Sequence, residues 1–438
     1  MQTLAVDQII ESKVESLAFG GEGILRYQGF VVFVPFTAIG DYISCKIIEV
    51  KRSFAKGSLI EILVNSPQRI IPRCKYFGTC GGCQLQHMSD EAQNDYKLNS
   101  VKDAFKRIGH LDDIPINFIP STMKWAYRRH ITLQLKPDGN SFIIGFIGED
   151  QTKFVSVDSC PIFISFDNTF LHELHSLIRK ISNLNQETGR LTLLKSGSYI
   201  ILSFVFTTDF KIQEEEFISL INSCEIIAGI LIQTSKKKMS WGQIICEETI
   251  NDLRFRFSPE TFVQNHPEQS NKIYEWIVSK VSESKKAHDH ILDLYCGFGI
   301  TSLLLAKRGY QVTGMEYNQQ AILFAKENAL INRLSHVHFK QGDVEKLLPQ
   351  WLKKNSSTFV IVNPPRKGLS KQVCFTLLKH RPLEIVYISC MPATIARDLI
   401  LLCKEYEIQS CHVHDMFPQT AHMETCVHLR LRQTPQIG

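Results

Sequence analysis

From about residue 265 the chain alternates short apolar runs with segments of helical length, and this alternation leaves little choice of fold. Neighbouring parallel strands need a crossover, which a helix supplies, so the pattern predicts a mostly parallel sheet covered by helices. Residues 290–295 form the first expected strand, Cys296-Gly297-Phe298-Gly299 its turn, and 301–308 the first helix. Val312–Glu316 is the second strand, a third ends before Gly342-Asp343, and Phe359–Val362 is the fourth. The fifth, 385–388, runs into Ser389-Cys390-Met391-Pro392, where the proline can open a helix because its missing N–H is not needed there. Such sheets bind ligands at the carboxyl ends of their strands.

That edge collects the chemistry. Glu316 ends the second strand nineteen positions after Gly297, the separation at which an acid reaches the ribose hydroxyls of a bound nucleoside. Pro364 and Pro365 stiffen the loop after the fourth strand. Cys390 is placed beside a helix start, whose positive end favours the nucleophilic thiolate. The plain alternative is a small buried hydrophobe. Cys296 is placed to line the cofactor site, and Cys374, inside a helix, to pack. Glu424 follows Phe417-Pro418-Gln419-Thr420-Ala421-His422-Met423 near the end of this region, and read alone it is equally a surface carboxylate.

Residues 1–64 carry short strands separated by Gly20-Gly21, Gly23 and Gly40-Asp41, the pattern of a small β-barrel. Beyond Pro67 and Pro72 lie Cys74, Cys80 and Cys83 on a glycine-rich loop. Three sulfurs so close suit a metal centre, zinc or iron–sulfur, with Cys160 of Cys160-Pro161 as the fourth ligand. Arg69, Arg73, Lys75, Lys97, Lys102, Lys106, Arg107, Lys124, Arg128 and Arg129 fall in one stretch and are expected to face phosphates. The net charge of +5 permits a nucleic-acid partner without requiring one. With 44% hydrophobic and 21% charged residues the chain can build a sizeable core. No leader or membrane-length apolar run is evident, so a cytoplasmic protein with no membrane partner is expected, and its thirteen cysteines are not read as disulfides.

Taken together, these stretches resemble the RNA (uracil-5-)-methyltransferase family, in its cluster-bearing branch that includes 23S rRNA (uracil-5-)-methyltransferases. The resemblance rests on 293–297, on Ser389-Cys390-Met391-Pro392, on 417–424 and on the four cysteines. It implies an α/β methyltransferase domain, Rossmann-like, at 263–438, a TRAM/OB-like barrel at 1–64, and a central α+β iron–sulfur domain at 65–262. It implies S-adenosyl-L-methionine contacts at Gln264, Tyr295, Glu316, Asp343 and Asn363, and a 4Fe-4S cluster on Cys74, Cys80, Cys83 and Cys160. Cys390 is implied as the nucleophile that adds to uracil C6, and Glu424 as the base that frees C5 of its proton. RNA is the implied partner, 23S rRNA before tRNA, with no obligate protein partner evident. The sequence departs from the family pattern at Asn363, His266, Ile300 and Met391. A methyltransferase of adenine or guanine amino groups, a nucleotide-binding redox protein and a non-catalytic RNA binder are the competing readings. Arg366 stands where the amino-group enzymes place an aromatic residue.

Overall fold

A computed structural model describes residues 4–139, 141–164, 169–179, 181, 188–209, 212–284, 290–355 and 358–433. The N-terminal part contains β1 (Ile9–Lys13), β2 (Ser16–Leu17), β3 (Gly23–Tyr27), β4 (Phe30–Val34), β5 (Tyr42–Val50) and β6 (Phe54–Val64). They form one sheet in the order β1-β5-β6-β4-β3-β2, and β1 returns against β3. Alternating side chains turn Leu25, Val32, Val34, Ile43, Cys45 and Ile47 into a single small core.

The next part opens with α1 (Asp90–Arg107), capped by the Ser89 hydroxyl on the Ala92 N–H, and with β7 (Ile116–Ile119). It continues through β8 (His130–Asp138), β9 (Ser141–Ile147), β10 (Phe154–Ser156), α2 (Phe170–Ile178), β11 (Gly189–Ser196), β12 (Tyr199–Phe206), α3 (Glu214–Asn222), β13 (Ile227–Gln233) and β14 (Lys238–Gly242). These seven strands after β7 make a mainly antiparallel sheet in which only β12 and β13 run parallel. A hairpin, β15 (Cys246–Ile250) and β16 (Leu253–Phe257), leads on to the large sheet.

That last part comprises α4 (Pro267–Glu283), β17 (Ile291–Leu294), α5 (Ile300–Ala306), β18 (Val312–Glu316), α6 (Gln319–Ile331), β19 (Val337–Gln341), α7 (Val344–Leu352), β20 (Phe359–Val362), α8 (Lys371–His380), β21 (Glu384–Ser389), α9 (Pro392–Leu402), β22 (Tyr406–His414) and β23 (Glu424–Leu431). The strand order is β19-β18-β17-β20-β21-β23-β22-β7. The first five are mutually parallel, and β23 is antiparallel to both neighbours. Strands β17, β20 and β21 are buried at every position, as expected for a sheet covered on both faces. Its edge strand β7 comes from the segment assigned to the central domain. The cause is apolar: Val101 and Phe105 of α1, just before β7, bury in the core on one face of this sheet, beside Leu399 and Leu402 of α9. No helix among the described residues is long and apolar enough to cross a membrane.

Candidate active site

The carboxyl ends of β17, β18, β20 and β21 open on a cleft of about 1480 Å³. Gln264, Tyr295, Glu316, Asp343, Asn363, Cys390 and Glu424 all line it. Each is delivered by local chain geometry. Tyr295 takes a left-handed backbone, φ 62°, and its N–H donates to the Met315 carbonyl at 2.8 Å. Gly297 follows with φ 55°, and a Cβ there would meet nothing within 4 Å, so backbone and open space adjoin. The Glu316 carboxylate accepts from the Gly297 N–H at 3.2 Å and the Asn318 N–H at 2.8 Å. It therefore ties the glycine turn to the end of β18. Asp343 caps α7, accepting from the Glu345 N–H at 3.0 Å. Gln264 lines the cleft, and its buried side-chain oxygen has no hydrogen-bond partner among the described residues.

Behind the glycine turn lies Asp293, buried, with the Ser302 hydroxyl donating to it at 2.6 Å. Burial pushes its carboxyl up to about 7, partly opposed by Ser302. The loop after β20 is fixed by Asp398 of α9, which accepts from the Leu369 N–H at 2.8 Å and the Tyr387 hydroxyl at 2.7 Å. Gly368, φ 76°, admits this close approach, since a Cβ would lie 2.6 Å from Asp398.

Strand pairing brings Cys390 and Glu424 together. The register aligns Ser389 of β21 with Thr425 of β23, so the residues one step beyond this pair face each other at the cleft. Burial pushes the Cys390 thiol up to about 11, with Glu424 adding to the effect and Arg366 opposing it. This reverses the expectation that the helix start of α9 yields a thiolate. A helix terminus is worth about 1 kcal/mol or less at such a site, and loss of water around the sulfur outweighs it. Glu424 is buried and pushed up to about 8 by burial, again opposed by Arg366. Thiol, carboxyl and guanidinium thus form one electrostatic unit.

Of the two other cysteines, Cys374 packs in the core as expected and also borders the cleft, whereas Cys296 turns against the core beneath Gly314 instead of lining the cleft. The basic stretch is also only partly a surface. Lys97 is fully buried and donates to Asp415 at 2.5 Å; Lys124 reaches the same carboxylate at 2.8 Å. Arg129 pairs with Glu248 at 2.5 Å and Arg69 with Asp41 at 3.0 Å. Arg128 does line the cleft. Three of the four departures from the family pattern fall at helix starts: His266 caps α4, Ile300 begins α5 and Met391 immediately precedes α9. His266 bonds Ser121 at 2.7 Å and stacks on Tyr127 at 4.7 Å, a packing role.

Cys74, Cys80, Cys83 and Cys160 line a separate small cavity, walled otherwise by Tyr76, Phe77, Ile131, Phe146 and Pro161. None of the four is in a disulfide. Among the described residues no group of three His, Cys, Asp or Glu is drawn together as the ligands of a metal ion. Gly82 belongs to the walls of both this cavity and the cleft. Sequence reading passed over Arg366 as a participant and omitted His422, Phe417 and Tyr317, which also line the cleft. Signals existed for Arg366, the charged residue next to the rigid Pro364-Pro365 pair, and for Phe417 and His422, inside the 417–424 stretch.

The tRNA (uracil-5-)-methyltransferase family model matches residues 90–432, and the TRAM domain model matches residues 5–60. An uncharacterized RNA methyltransferase of Protochlamydia amoebophila is 50% identical over 98% of this chain and 99% of its own length. One from Staphylococcus aureus strain MSSA476 is 31% identical over 99% of this chain and 100% of its own. Among solved structures, the Pyrococcus abyssi tRNA (uracil-54, C5)-methyltransferase in complex with S-adenosyl-L-homocysteine superposes with a TM-score of 0.75. It is 26% identical, over 96% of this chain and 100% of that one.

Proposed function

Because the chain belongs to the tRNA (uracil-5-)-methyltransferase family, with an N-terminal TRAM domain, we propose that its cleft methylates C5 of a uracil in RNA through a transient bond from Cys390 to C6. The enzyme is an S-adenosylmethionine-dependent RNA methyltransferase. The observation that carries the finer reading is the facing of Cys390 and Glu424 across β21 and β23 in that cleft.

The residues fit the nucleoside cofactor. The unpartnered oxygen of Gln264 can accept from an amino group, the open face at Gly297 lets the ligand approach, and Glu316 can accept from ribose hydroxyls. S-adenosylmethionine, when bound, supplies a methyl group on an electron-poor sulfur. Uracil C5 is a weak nucleophile until C6 is attacked. The Cys390 sulfur, once deprotonated, bonds to C6 and drives the electron pair of the ring double bond toward the carbonyl side, so that C5 can take the methyl. Glu424 as carboxylate then removes the C5 proton. The electron pair of that C–H bond re-forms the C5–C6 double bond, the C6–sulfur bond breaks and the thiolate is restored. Arg366 favours the anionic form of both groups and lowers the cost of each step. The target base must leave its stack to enter the cleft.

We further propose that the four cysteines hold a 4Fe-4S cluster within residues 65–262, between a barrel at 1–64 and a catalytic domain at 263–438. The support is a sulfur-only donor set lining one cavity. Anaerobically purified protein should contain about four irons, and Cys160→Ser should lose them; zinc, or unchanged metal, rejects the cluster. On the same resemblance, 23S rRNA is the proposed substrate. The Pyrococcus relative acts on tRNA, so mapping 5-methyluridine in both RNAs of cells lacking the protein decides between them.

The reaction itself is tested with RNA carrying 5-fluorouridine, whose fluorine blocks proton removal. The wild type should form an adduct that survives a denaturing gel, and Cys390→Ala should form none while still binding S-adenosylmethionine. An adduct mapping to another cysteine, or methyl on a base nitrogen, would reject the mechanism.

A further inference from the structure

Nine residues, 415–423, join β22 to β23 and end at Glu424, and unlike most loops they are nearly all buried. Buried backbone must find partners. Here they come from residues more than 290 positions earlier in the chain. The Gln93 amide donates to the Gln419 side-chain oxygen at 3.0 Å and accepts from the Gln419 N–H at 2.9 Å. The N–H groups of Gln84 and Leu85 both donate to the Gln419 carbonyl, at 3.2 and 3.0 Å. Lys97 donates to the Phe417 carbonyl at 2.9 Å, and the Tyr127 hydroxyl to that of Pro418 at 2.9 Å. Gln419 is thus held through its N–H, its carbonyl and its side chain, and it sits in the left-handed region, φ 69°. A glutamine leaves that region unless its surroundings impose it.

Gln93 lies in α1, buried behind the loop rather than in the cleft wall. Four residues of this loop and its end, Phe417, Thr420, His422 and Glu424, do line the cleft. We propose that Gln93 is a positioning residue: its amide locks Gln419 in the left-handed conformation and so sets where the Glu424 carboxylate stands against C5. This rests on the reading of Glu424 as the base. Released from Gln93, the loop relaxes toward a right-handed turn and carries Glu424 with it. A shift of about 1 Å at a reacting group costs up to about a hundredfold in rate.

The test separates proton removal from the steps before it. Wild type, Gln93→Leu and Gln93→Glu are given S-adenosylmethionine with ordinary RNA or with 5-fluorouridine RNA, and 5-methyluridine and gel-stable adduct are both timed. Gln93→Leu should methylate about tenfold or more slowly and accumulate adduct on ordinary RNA. It should trap 5-fluorouridine RNA within about twofold of wild type, since that substrate never reaches proton removal. Gln93→Glu keeps the size and the acceptor for the Gln419 N–H but loses the donor. It should fall between the two, and it carries the same readout should the leucine variant not fold. Trapping that slows in step with turnover would reduce Gln93 to a structural residue and overturn the proposal, as would unchanged turnover. A wild type that makes 5-methyluridine yet traps nothing overturns the Glu424 reading and the clamp with it.

Discussion

Glu424 is buried, Cys390 beside it is half-buried, and both are biased toward their neutral forms. Proton removal needs the carboxylate, so release of methylated RNA should quicken as pH rises through about 8. Arg366→Gln removes the charge that lowers both groups and should move this profile to higher pH. Glu424→Gln should form the adduct and fail to release it, leaving protein–RNA complexes on a denaturing gel; normal turnover would remove Glu424 from the mechanism. The same shift has a stability consequence. The folded protein holds the Glu424 proton more tightly than the unfolded chain, whose value is near 4.5. Its contribution is therefore full below pH 4.5 and falls away as pH rises toward 8. Thermal melts of Glu424→Gln against wild type should show a difference in favour of the variant that grows across this window, and a constant difference would contradict it.

At the scale of elements, α1 joins the 415–423 loop to the rest of the protein. Asp415 is a carboxylate held by two ammonium groups, Lys97 at 2.5 Å and Lys124 at 2.8 Å, and although burial pushes it up the lysines keep it below its ordinary value. Lys97→Met leaves a buried charge with one partner. It should cost about 3 kcal/mol in urea unfolding, against roughly 0–1 for an exposed pair such as Arg107 with Asp103. Equal effects would place the Lys97 pair among the minor contributors. The α1 sequence shows the helix plainly: a serine cap, acids in the first turn and Lys106 and Arg107 in the last. It hides the destination of Lys97, because a lysine within a helix reads as solvated until its distant partner, Asp415, is known.

For the whole molecule, the N-terminal sheet docks on the same region. Ala38 packs with Leu85, Met88, Ala92, Tyr96 and Ala421, and the Tyr96 hydroxyl donates to the Phe19 carbonyl. Deleting residues 1–64 should weaken RNA binding and make its dependence on salt shallower, by about 0.7–0.9 in log–log slope for each phosphate no longer neutralised, while S-adenosylmethionine binding persists. An unchanged slope would place the phosphate-binding groups elsewhere. The sequence by itself determined the parallel sheet, because its strands and their crossovers are written as local apolar runs with Gly297 and Gly299 at the turn. It also placed Tyr295, Glu316, Asn363 and Cys390 along one cleft, since carboxyl ends of parallel strands share one edge whatever the packing around them. Only the tertiary structure decided the state of those residues. The thiol of Cys390, the proton on Glu424 and the buried charge of Lys97 depend on how much water remains beside each. That depends on antiparallel β23, on the edge strand β7 and on a loop clamped from α1, all long-range pairings that leave no local mark in the chain.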